Sequence, residues 1–145
     1  MTDPDTLETL RAAVETVAPS TEAMPGATDL DSHQHVADMM EIGLPVITVM
    51  IAALLDAYAA DVKPGTPFKD LSIEDRNRVV RAMSVDESQD IRDAIDAIIV
   101  FGCGGMFSEW SGYDRATRAL KAPVTWAALG FHGPVHGHPD YKKDS

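Results

Sequence analysis

The chain of 145 residues holds a single cysteine, Cys103. An intramolecular disulfide is therefore excluded, as is a zinc site built on thiolates. No Cys-x-x-Cys-His run is present, so no c-type haem is attached. Aromatic residues make up only 6% of the chain. Cationic residues are also few: 12 Lys and Arg stand against 23 Asp and Glu, a formal net charge of -11. Such a field repels nucleic acid and anionic membrane surfaces. It serves solubility, or it presents an acidic face to a basic patch on another protein. The longest apolar stretch, Ile42 to Leu55, has 14 residues, short of the roughly 20 that a membrane span requires. The opening Met1-Thr2-Asp3-Pro4-Asp5 lacks the basic region, twin arginine and apolar core of an export signal. A cytoplasmic location is expected.

What the chain does have is Ala, Val, Ile, Leu and Met at helical spacing. Leu7, Leu10, Val14 and Val17 form a first stripe, with Asp5 and Glu8 as a capping pair and Pro19 as its stop. Residues 19 to 32 read as a loop. Asp31 and Ser32 then cap a second helix with Val36, Met39 and Met40 inward. Pro45 suits the first turn of a third. From Leu44 to Leu55 this segment is apolar on nearly every side, so it is expected at the centre of the domain, with Leu54 in the core. A strand over Val46 to Ile51 is the rival reading, and the continuation of the pattern to Tyr58 favours helix. After the turn at 63–67, Ser72 and Asp75 open a fourth helix that buries Val79, Val80 and Met83 and leaves Arg76, Arg78 and Arg81 in water. Ile91, Ile95, Ile98 and Ile99 mark a fifth, which frays, kinks or admits another backbone at Gly102, Gly104 and Gly105. Arg115 to Leu120 reads as a short helical turn. Pro123 starts a last helix, with Trp126 and Leu129 buried, Gly130 as its left-handed cap and Phe131 folded back. No alternating strand pair is evident. The expected fold is all-α: a compact helical domain of five to seven helices over residues 1–134, followed by an extended polar tail, 135–145.

No constellation of residues announces catalysis. His33 and His35 are two apart on a helix and point in different directions. In an extended tail, His136 and His138 share a side, which makes them the only metal candidates. The alternative function that follows is a stand-alone metal-binding protein or enzyme using the His-rich C-terminus. Cys103 lacks a neighbouring cation to activate it and reads as a small packed residue. Glu109 and Asp114 could pair as acid and base, yet such carboxylates are usually solvated. Gly102-Cys103-Gly104-Gly105 lacks the phosphate-loop lysine and follows a helical pattern, so it is no nucleotide fingerprint. Aromatic residues crowd the last third. With the glycines, they make Gly102, Gly104, Gly105, Trp110, Tyr113 and Tyr141 the candidate partner interface.

Three stretches together resemble a known family: Leu7 to Pro19 with Pro25-Gly26-Ala27; Phe68 to Arg76 with Val79 to Met83; and Trp126-Ala127-Ala128-Leu129-Gly130-Phe131-His132-Gly133-Pro134. In their order and spacing the chain is similar to the gluconate 2-dehydrogenase subunit 3 family, from about Thr6 to Pro134. The resemblance implies a helical small subunit that binds and stabilises a large FAD-dependent dehydrogenase of the glucose-methanol-choline type. It places the FAD in that partner, with no cofactor and no catalytic residue in this chain. Members carried through the twin-arginine pathway have a signal that this chain does not show.

Overall fold

The computed structural model describes residues 2–43, 46–108, 113–114, 116–120 and 122–131. Six α-helices lie among them: α1 (Pro4–Val17), α2 (Ser32–Gly43), α3 (Ile47–Val62), α4 (Ile73–Ser84), α5 (Gln89–Phe107) and α6 (Val124–Ala128). Two 3₁₀ turns, Thr28–Leu30 and Phe68–Asp70, sit in the connections. The all-α expectation holds. The one addition is a two-residue antiparallel pair, β1 (Tyr113–Asp114) with β2 (Ala119–Leu120).

The N-terminal cap of α1 is Asp3, two residues before the expected Asp5. Its carboxylate accepts from the N–H groups of Asp5 (3.1 Å) and Thr6 (3.0 Å). Pro4 explains the shift, since its fixed φ and missing N–H suit the first helical position. The helix ends at Val17 because Pro19 forces Ala18 out of the helical region, to φ -141° and ψ 69°. The loop that follows is organised around Asp29, which accepts from Ser20 Oγ and from the Gly26 N–H (2.8 Å). Gly26 is obligatory in that loop, because a Cβ there would stand 2.4 Å from the Ser20 nitrogen. Ser32 does not cap α2. It is fully buried, and Asp31 instead ends the 3₁₀ turn in the left-handed region, at φ 51°.

The core gathers Leu10, Val14, Val36, Ile51, Leu55, Phe68, Val79, Met83, Ile95 and Ile98 from five helices and the second 3₁₀ turn. Helix α1 packs on α2, α3, α4 and α5, and α5 packs on α1, α2 and α4. Met39, expected inside, is partly exposed. Arg76, expected in water, is not: its side chain retains 15% exposure, pairs with Glu15 at 2.7 Å and donates to the Lys69 carbonyl at 2.6 Å. One guanidinium thus ties α4 to α1 and to the turn before it. The Tyr58 hydroxyl donates to Asp86, which joins α3 to the connection between α4 and α5.

Helix α3 is the main departure. It is a helix, not a strand, but it forms a wall of the domain instead of its centre. Thr48, Ile51, Ala52, Leu55 and Ala59 face inward. Val46 (62% exposed), Val49 (52%) and Met50 (55%) face out. Leu54 is half-buried, and the fully buried leucine is its neighbour Leu55. Leu44 and Pro45 lie outside the described residues. The helical turn expected over Arg115 to Leu120 is replaced by the small hairpin. Asp114 accepts from the N–H groups of Ala116 (2.9 Å) and Thr117 (3.2 Å), and Arg118 takes a left-handed φ of 56°. A short polar side chain that satisfies the N–H groups two and three residues on competes directly with a helix.

Candidate docking site

Helix α5 runs on through Gly102, Gly104 and Gly105 to Phe107. The glycines set how closely it approaches its own neighbours. A Cβ on Gly102 would meet Val14 Cγ1 of α1 at 3.4 Å. One on Gly105 would stand 3.0 Å from His35 Cβ and 3.1 Å from Ser32 Oγ of α2. Both glycines are buried, so the close approach they permit is made within the domain and neither offers surface to a partner. Gly104 is only half-buried, with nothing nearer to its missing Cβ than His35 Nε2 at 3.8 Å. Gly105→Val should therefore destabilise the isolated chain by about 1–3 kcal/mol, as overpacking does, read as a fall in denaturation midpoint. An unchanged midpoint would show that α2 has room that the geometry denies.

The C-terminus of α5 is closed by α6. Thr125 Oγ1 donates to the Met106 carbonyl (2.7 Å) and Trp126 Nε1 to the Phe107 carbonyl (2.8 Å). These are among the last carbonyls of a helix, which have no partner within it. Gly130 sits at φ 67° as the left-handed cap, and Phe131 folds back so that its ring meets Trp126 edge-on at 5.1 Å. Leu129, expected inside, is exposed. Of the other candidate interface residues, Tyr113 contributes backbone to β1. Trp110, Tyr141 and Glu109 lie outside the described residues, as do His136 and His138 and the tail 135–145.

Among the described residues no group of three His, Cys, Asp or Glu side chains could hold a metal ion. His33 and His35 are half-buried on α2, and burial lowers the pKa of both rings. Cys103 is half-buried on α5. Asp114 serves the hairpin turn. Gly102 to Gly105 do not fit a dinucleotide phosphate, because they lie inside a helix with their missing side chains against α1 and α2. Among the described residues no helix is long and apolar enough to cross a membrane.

An apolar groove of about 310 Å³ lies between α3 and α5. Ile51 and Ala94, both buried, form its floor. Ile47, Met50 and Leu54 make one wall and Ala97 stands on the other, with Asp90 and Asp93 on its rim. Sequence reading missed it because it placed α3 at the centre. The signal was present all the same: Val46, Val49 and Met50 are more apolar residues than a single buried face can absorb.

The model of the family described as gluconate 2-dehydrogenase subunit 3 matches residues 4–127. The chain belongs to that family. The match runs from the first turn of α1 to α6, so every helix described above falls within the family's domain except the final residue of α6. The family name denotes one subunit of a dehydrogenase. Neither a search of curated proteins nor one of solved structures returned a match.

Proposed function

We propose that this member of the gluconate 2-dehydrogenase subunit 3 family is a non-catalytic accessory subunit. It binds and stabilises a large FAD-dependent oxidoreductase of the glucose-methanol-choline type, and the flavin, the substrate pocket and the hydride chemistry belong to that partner. The observation that carries this reading is the family match across residues 4–127. The uncovered apolar face of α3 supports it, since exposed apolar patches of this kind mark contact surfaces. Purified from its native source, the chain is expected to come down with a larger protein from which FAD can be extracted in stoichiometric amount. Freed of that partner it should be colourless and without dehydrogenase activity. Stoichiometric FAD in the isolated chain would overturn the reading, as would a native complex devoid of flavin.

A further inference from the structure

We infer that the groove between α3 and α5 is the docking site for a cationic amphipathic helix of the partner protein. This rests on the accessory-subunit reading and specifies the surface and the chemistry that reading requires. Two apolar faces meet at the groove. Met50 stands out on α3 and also lines the groove itself, and the exposed Val46, the cap residue one turn before it, continues the same side. On α5, Ala97, Val100, Gly104 and Phe107 recur at spacings of three and four, which puts them on one side of the helix. Ala97 belongs to the groove, while Val100 and Phe107 are exposed beyond it. The apolar strip is therefore longer than the cleft, as suits an extended rod more than a small molecule. A trough between two helices accepts a third helix by the ordinary packing of ridges into grooves.

Charge selects the occupant. Among the described residues Asp90 and Asp93 are the only charged ones lining the groove, and neither forms an ion pair. Gln89 Nε2 donates to Asp93 and leaves its charge in place. Arg92, the nearest cation in sequence, is turned to its own helix terminus. Its guanidinium donates to the Asp86 and Glu87 carbonyls and to Gln89 Oε1. A helix with an apolar stripe flanked by Lys or Arg fills the cleft and neutralises its rim. A second copy of this chain fits poorly. A twofold contact brings the same patch of each copy together and so sets the two acidic rims into one interface.

The test uses the full chain and three fluorescein-labelled peptides of about four helical turns. One carries Leu at i, i+3, i+4 and i+7 with Lys on its flanks. The second has Glu in place of each Lys. The third is a scramble of the first without a continuous apolar face. By anisotropy at low salt, the Leu/Lys helix should bind at least about tenfold more tightly than either control. Met50→Gln, and Asp90→Asn with Asp93→Asn, should each weaken it about tenfold while leaving the chain folded, as read by far-ultraviolet circular dichroism. Equal binding of the scramble would overturn the proposal by reducing it to bulk charge, and so would undiminished binding by both variants. A dimer in sedimentation that Met50→Gln dissolves would also overturn it, by giving the groove to a second copy. Copurification of a flavoprotein at full yield with both variants would refute the groove and leave the accessory-subunit reading standing. Selective peptide binding by a chain that never copurifies with a flavoprotein would do the reverse.

Discussion

Phe68→Ala is expected to cost the fold about 3–5 kcal/mol, the range for removing a buried aromatic ring. The ring is fully buried although it sits in a 3₁₀ turn of only three residues, Phe68–Asp70. So short a turn has little stability of its own. Two anchors hold it: the ring, packed into the core, and the Phe68 N–H, which donates to Asp56 Oδ1 of α3 at 2.8 Å. The same turn carries Lys69, whose carbonyl accepts from Arg76 and whose ammonium meets Asp5 of α1. Loss of the ring leaves a cavity and loosens the carbonyl that orients Arg76. Against a total stability of about 5–15 kcal/mol for a domain of ordinary size, that loss is about a fifth or more. Urea denaturation checks it directly. A change under about 1 kcal/mol would show that the turn collapses onto the vacated space without penalty.

Leu55→Ala and Leu54→Ala should separate sharply although the residues are adjacent. Leu55 is fully buried in the core, so its truncation should cost about 2–5 kcal/mol. Leu54 is half-buried in the wall of the groove, where the space left by truncation opens to solvent. Only part of its transfer free energy is at stake, about 1–2 kcal/mol. Equal losses by thermal denaturation would mean that α3 is buried on both sides, and the groove would not exist as described.

The helices themselves were legible from sequence because their signals are local. Pro19, Ser72, Pro123 and Gly130 each act within a turn of where they stand, and the structure uses each one there. The direction each face points was less legible, because it depends on neighbours distant in sequence. Arg76 looks like any surface arginine until α1 brings Glu15 to it. Gly102 and Gly105 look like a seam for another protein until α1 and α2 are seen to occupy it. Apolar excess on α3 signals burial in the sequence, but it does not say whether this chain or another provides the cover. The small hairpin turned on one side chain, Asp114, whose bonds to the Ala116 and Thr117 N–H groups compete with a helix.

Val14 lies near the start of the chain and is covered in part by α5 at Gly102, 88 positions later. A ribosome adding about 5–20 residues per second needs roughly 4–18 s to travel that distance. Helices α2, α3 and α4 emerge within that interval and can pack on α1, but the side of Val14 that faces Gly102 stays without its neighbour until the end. The subunit therefore cannot mature in step with its synthesis. Its core closes only once α5 has emerged.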